Sequence, residues 1–255
     1  MKILLIGGFG NTREYMSPFI NSCLGKHVVI FYEFKIDKTI DHKHEIIDLI
    51  EKHAPHTIMA FSMSCHLVYT IVKDLQHTKL ILIDPPNIGH LLRDGDKRTS
   101  TYYMPFRTSG KRSYSEFSLI LNGGIIAGII FALSKVKWIR EFFNTFVFRE
   151  TGPIHMVNDC VLQCKLDNVQ HMLQKYLMDM GPLKVCANQN KIVHIVSGTK
   201  SQYFEFNKRL SEDNVMVKLH VVNGGSHHLL WEGANIIWLL LGRFCGSERN
   251  TLKSC

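Results

Sequence analysis

Short, unbroken apolar runs alternate along the chain with longer stretches in which apolar residues return every third or fourth position. Lys2–Ile6 is the first run, and it stops at Gly7-Gly8 as a strand buried on both faces stops at a turn. Met16, Phe19, Ile20, Cys23 and Leu24 then recur at helical spacing, with Gly25 placed to end that helix in a left-handed residue. The unit repeats. His27–Phe34 reads as a strand, Ile46, Ile47 and Ile50 as the stripe of a helix closed by Ala54-Pro55, and Thr57–Phe61 as the next strand. Leu67, Val68, Ile71, Val72 and Leu75 mark one face of a further helix, and Lys79–Ile83 is a strand closed by Asp84-Pro85-Pro86. This alternation predicts an α/β protein with a mostly parallel sheet flanked by helices.

From about Pro85 to Asn190 the alternation breaks, and the interval reads as an inserted helical cap. It holds a basic loop, an apolar segment Leu119–Phe148 rich in Phe and Trp, and an amphipathic helix with Leu166, Val169, Met172, Leu173, Tyr176 and Leu177 on one side. Alternation resumes with the strand Lys191–Val196, a helix around Tyr203–Leu210, the strand Val215–Val222 and a last helix near Ala234–Phe244. The expected organisation is therefore a core of residues 1–84 and 191–255 with a cap of residues 85–190. Within the cap, Leu119–Leu133 is apolar apart from Asn122 and its glycines, yet shorter than the roughly 20 residues that cross a bilayer. A buried or interfacial helix is expected there, and Gly124-x-x-x-Gly128 would let it approach a neighbour closely.

A chain of 255 residues with 45% hydrophobic and 20% charged residues has the composition of one folded domain. Its net charge of +8 favours anionic surfaces or ligands. Nucleic acid is not the expected partner, because the basic residues are scattered. The exception is a group at Arg93, Lys97, Arg98, Arg107, Lys111 and Arg112, which Asp94 and Asp96 partly offset. Seven cysteines without regular spacing fit a reducing compartment, and the short run before Gly7 is no signal peptide, so a cytoplasmic location is expected, with peripheral membrane contact through the cap. His42-x-His44, His53-x-x-His56 and Cys160-x-x-x-Cys164 come in pairs without further ligands at zinc spacing. No phosphate-binding glycine motif follows a strand, so neither metal nor cofactor is expected.

Candidate chemistry sits at two turns. A strand running straight into Ala60-Phe61-Ser62-Met63-Ser64 and then a helix is the context of a nucleophile elbow, where a tight turn lifts the central side chain over the sheet edge. Small neighbours are a steric necessity there, and Ala60 and Ser64 stand where glycines are usual. Asn223-Gly224-Gly225-Ser226-His227-His228 follows the last strand, and a histidine on such a loop can reach a serine at a neighbouring strand end.

In these features the chain resembles the α/β-hydrolase superfamily over most of its length. Leu5-Ile6-Gly7-Gly8-Phe9-Gly10 resembles its His-Gly-x loop, Ala60–Ser64 its elbow, and Gly225-Ser226-His227 with Glu232 its Gly-x-His-x-x-x-x-Glu ending. The resemblance implies Ser62 as nucleophile, His227 over His228 as general base, and the backbone N–H groups of Phe9 and Met63 as the oxyanion hole. It departs from the family at the acid: Ser201 stands where an Asp is expected. Asp84, in an Ile-Asp-Pro setting like the acid position of pancreatic-type lipases, and Glu205 are the two carboxylates in reach, and a Ser-His dyad is the third arrangement. The implied activity is hydrolysis of an ester or thioester, and the apolar cap suggests an apolar acyl group, carried on a lipid or an acyl carrier. A second expectation is a catalytically impaired scaffold that binds a ligand or a membrane, and a third is lyase or acyl-transfer chemistry at the same serine and histidine.

Overall fold

The computed structural model describes residues 1–23, 27–73, 75, 78–86, 101–102, 112–113, 125–142, 153–179, 183–186, 191–201 and 203–246. The basic positions Arg93 to Lys111 and the apolar positions Leu119 to Asn122 and Phe143 to Phe148 lie outside them, as does Gly124.

The main sheet has six strands, all parallel: β1 (Lys2–Ile6), β2 (Val28–Tyr32), β3 (Thr57–Phe61), β4 (Lys79–Ile83), β7 (Val193–Gly198) and β8 (Val217–Val222), in the order β2-β1-β3-β4-β7-β8. β5 (Thr101–Tyr102) and β6 (Arg112–Ser113) form a separate two-residue antiparallel pair. Every residue of β3 is buried, and so are Ile3 to Ile6 of β1 and Leu80 to Ile83 of β4, which is why the central strands read as continuous apolar runs instead of alternating ones.

The connection from β1 to β2 runs toward one edge, and those from β2 to β3 and from β3 to β4 run toward the other. Because parallel crossovers are right-handed, this reversal puts α1 (Arg13–Ser22) on one face and α2 (His42–His53) and α3 (Ser64–Val72) on the opposite one. The packing agrees: α2 meets α3, whereas α1 meets the short α9 (Leu229–Glu232) and the terminal α10 (Ala234–Gly246). On that side the Trp238 indole stacks 4.4 Å from the Phe19 ring and donates its N–H to the Phe19 carbonyl at 3.0 Å. α8 (Phe204–Glu212) joins β7 to β8. The reversal point, between β1 and β3, is where an open α/β sheet leaves a crevice beyond the carboxyl ends of its strands.

Between β4 and β7 the described residues add no strand to this sheet. They form α4 (Ile125–Leu133), α5 (Lys137–Phe142), α6 (Pro153–Gln163) and α7 (Leu166–Leu173), the last continued by a π-helical turn over Gln174–Met178. The single amphipathic helix expected over Leu166–Leu177 therefore changes its winding after Leu173, and α6 is a separate helix ahead of it. Arg140 on α5 ties α6 to the turn after α4, with its Nε 2.5 Å from Asp159 Oδ1 on α6 and an Nη1–H donated to the Ser134 carbonyl.

Candidate active site

Three strand ends and one loop meet at the carboxyl rim. Ladder pairing runs through Phe61 opposite Ile83 and Ile83 opposite Val196, so residues 62 and 84 leave the sheet side by side. Their amides extend the ladder by one step: Ser62 N–H donates to the Ile83 carbonyl at 2.9 Å and Asp84 N–H to the Val196 carbonyl at 2.8 Å. Both then turn in the left-handed region, Ser62 at φ 55° and Asp84 at φ 47°. Holding an L-residue there costs on the order of 1–3 kcal/mol, and such strain concentrates at functional turns.

Side chains around the elbow explain how it does without the usual glycines. Ser64 is fully buried and donates its hydroxyl toward the Phe61 carbonyl at 3.0 Å and the Ile6 carbonyl at 3.3 Å, tying the first turn of α3 to the end of β1. On the other side Gly8 lies against the elbow. A Cβ there would sit 2.8 Å from the Phe61 carbonyl oxygen and 2.9 Å from Ser62 Cβ, so only glycine allows the approach. Asn11, which the sequence reading passed over, accepts the Gly8 N–H on Oδ1 at 2.8 Å and shapes the loop that carries Phe9. Gly10 in that loop has φ 70°. Met63 occupies the N-terminal cap of α3, among the N–H groups that a helix leaves without an intrahelical acceptor.

The loop bearing His227 starts at the end of β8, three strands from β3, a lateral distance of about 14 Å. It lies back across the rim because Gly198 has no side chain: a Cβ on Gly198 would fall 2.1 Å from the Gly225 carbonyl oxygen. Lys200 N–H donates to that same carbonyl at 2.9 Å, and Gly224 N–H to Thr199 Oγ1 at 2.8 Å. Glu232 closes the loop from the other end, accepting the Ser226 amide at 2.9 Å and the Ser226 hydroxyl at 2.8 Å.

So held, His227 Nε2 lies 2.9 Å from Ser62 Oγ, and its Nδ1 lies 2.6 Å from Asp84 Oδ2. An imidazole nitrogen facing a carboxylate carries the proton, which leaves Nε2 to accept from the serine hydroxyl. The ring is stacked on Phe61 at 5.2 Å and met edge-on by Tyr203 at 5.1 Å. Asp84 is fully buried, and among the described residues no lysine or arginine is its partner. Neutral donors hold it: Ser201 Oγ–H also binds Oδ2, while Ser197 Oγ–H at 2.5 Å and Asn207 Nδ2–H at 3.3 Å bind Oδ1. Ser197 accepts from Asn207 in turn at 3.2 Å, and Ser201 accepts the Tyr203 amide at 3.1 Å.

Of the carboxylates considered from sequence, Asp84 is the one at His227. Glu205 is exposed on α8, and Glu232 serves the loop. His228 points away from the serine, buried, with Nδ1 2.6 Å from the Tyr15 hydroxyl on α1. Burial, and secondarily the neighbouring His227, pushes His228 down to about 3, so it is a neutral anchor. Ser197, Asn207 and Tyr15 had no local motif to announce them. Among the described residues no three of His, Cys, Asp and Glu gather as metal ligands would.

No family model and no curated protein matches the sequence. Solved structures do resemble the fold. An N-formylmaleamic acid deformylase from Pseudomonas putida superposes with a TM-score of 0.57 at 13% identity, over 92% of this chain and 90% of that one. The carboxylesterase CesB from Bacillus subtilis gives a TM-score of 0.56 at 9% identity over 96% and 84%. A hydrolase from Oleispira antarctica gives 0.53 at 13% identity over 95% and 90%. With six parallel strands in this order, a nucleophile-elbow turn after β3 and neighbours of this kind, the chain has the α/β-hydrolase fold.

Proposed function

We propose that the protein is a serine hydrolase that cleaves an ester or thioester with an apolar acyl group through an acyl-enzyme on Ser62. The observation that carries this reading is the unbroken hydrogen-bonded chain from Ser62 Oγ through both nitrogens of His227 to the buried carboxylate of Asp84. In the first step Ser62 Oγ attacks the carbonyl carbon while its proton passes to His227 Nε2. Asp84, held in place by its hydroxyl and amide donors, stabilises the imidazolium that forms. The negative oxygen of the tetrahedral intermediate is received by the Phe9 and Met63 amides. On collapse His227 gives the proton to the departing alcohol or thiol. A water then attacks the acyl-serine by the same route and frees the acid. The apolar acyl group is motivated by the aliphatic character of α6, whose buried Val157 and Val161 pack against the Gly10 turn, 3.0 and 3.1 Å from where a Cβ on Gly10 would be.

The impaired-scaffold reading drew its motive from Ser201 in the expected acid position and from Ala60 and Ser64 in place of the elbow glycines; Asp84 bonded to His227, and Ser64 bonded to the Phe61 and Ile6 carbonyls, speak against both. The test is labelling with a fluorophosphonate probe. The expected result is a covalent adduct on the peptide containing Ser62, lost in Ser62→Ala; a folded sample that stays unlabelled overturns the proposal. Chromogenic esters of increasing acyl length examine the second half, with kcat/KM rising as the chain lengthens. A preference for acetyl would leave a hydrolase but not this substrate class.

A further inference from the structure

We propose that the outer face of α4 and α5 is a docking surface for an anionic phospholipid bilayer. α4 is Ile-Ile-Ala-Gly-Ile-Ile-Phe-Ala-Leu, nine residues without a polar side chain. One side of it is accounted for within the protein: Ala127 and Phe131 are buried, and Ile130 packs against the core. The other side is equally apolar and faces solvent. Ile125, Ile129 and Leu133 repeat at helical spacing along it, Val136 follows in the turn, and Trp138 on α5 continues it, the five side chains being between 44% and 83% exposed. A soluble monomer rarely leaves so continuous an apolar ridge in water, and a helix that is apolar all round belongs to a core or to lipid.

Three features select a membrane surface as the occupant. No helix among the described residues is long and apolar enough to cross a bilayer, so α4 would lie along the interface with its outer side chains immersed. Trp138 supplies an indole at the edge of the ridge, a group that settles at headgroup depth. The charge is of the right sign: among the described residues Lys135 and Lys137 border the ridge against Glu141, and the whole chain carries +8. A second copy of so basic a chain is repelled where anionic headgroups are attracted. Lys135 is itself fixed, its Nζ donating at 2.6 Å to the Gln163 and Cys164 carbonyls at the end of α6, whereas Lys137 is exposed and held only by a 3.8 Å pair with Glu141, which a phosphate can replace.

This inference goes beyond the proposed hydrolysis and does not need Ser62. The full-length chain should float with phosphatidylcholine vesicles that contain phosphatidylserine, and raising the salt concentration should release it. Ile129→Glu and Trp138→Glu should each weaken flotation by about tenfold or more, since each removes a large buried apolar group and adds a charge. Lys137→Glu should weaken it less. All three should keep their circular dichroism spectrum and their fluorophosphonate labelling, and Ser62→Ala should float like the parent. A blue shift of fluorescence on vesicle addition that disappears in Trp138→Phe places the indole in lipid independently of the glutamate variants. Absence of flotation, equal binding to phosphatidylcholine alone, or flotation unchanged by the glutamates would each overturn the proposal. So would a dimer in solution that Trp138→Glu disperses, which would assign the ridge to a second copy of the chain.

Discussion

At the scale of single residues, the site is a buried carboxylate that, among the described residues, is held by neutral donors and the His227 ring. Removing one partner of such a group leaves a larger debt than the bond was worth, because the carboxylate stays desolvated. Asp84→Asn should therefore fold but lose about 10⁴ in turnover, since an amide no longer fixes the His227 tautomer. Ser201→Ala removes a donor from the oxygen that His227 also uses. It should lower kcat about tenfold with KM unchanged and cost about 1.5–3 kcal/mol in urea unfolding. An equal fall in substrate affinity would mean that Ser201 shapes the binding surface instead. Ser62, His227 and Asp84 were legible in the sequence because each ends a strand or lies in a glycine-rich turn. Ser201 was legible as the residue standing in the expected acid position, though not as a donor to the acid that replaced it. Ser197 and Asn207 were not legible, because a lone serine in a strand and a lone asparagine in a helix carry no sign of what they face. Only the pairing of β4 with β7 and the packing of α8 bring them to Asp84.

At the scale of elements, the position of His227 depends on two chain segments touching without side chains between them. Gly198→Ala would place a methyl group 2.1 Å from the Gly225 carbonyl, and backbone is not able to yield as a flexible side chain does. The loop must lift, which should cut fluorophosphonate labelling of Ser62 by about 10²-fold while the sheet still forms, a loss of the size that a misplacement of about 1 Å produces. Labelling at the parent rate would show that the loop tolerates the shift. The strands themselves were legible as elements, less so at their ends: β7 is displaced two residues toward the C-terminus from the expected Lys191–Val196, because its ladder continues to Gly198 opposite Val222. α6 was missed altogether. Its polar positions include Asp159, whose partner Arg140 is on a different helix, so what stabilises it is tertiary and leaves little periodic trace. The four-residue α9 is too short to show a period at all.

At the scale of the whole molecule, buried and half-buried histidines tie stability to pH. His228 is depressed from 6.5 to about 3 and His194 to about 4, both chiefly by burial, and His220, 3.0 Å from His194 across β7 and β8, is lowered for the same reason. Above pH 6.5 both folded and unfolded states hold these rings neutral, and no stability is lost. As the pH falls below that value the unfolded chain takes up protons that the folded one refuses, so stability drops through the window down to about pH 3. The loss for His228 is on the order of a few kcal/mol. The melting temperature should fall steeply with acidification, and His228→Gln should show a shallower slope than the parent. A melting temperature that stays level from about pH 7 to about pH 4 would contradict this.

The ring of Phe61 lies flat beneath the imidazole of His227, at 5.2 Å and 25°, and Phe61 is covalently next to Ser62. One peptide thus bears the Ser62 hydroxyl and the ring against which its imidazole partner rests. Any displacement of the β3 end therefore carries the hydroxyl and the ring under the imidazole together.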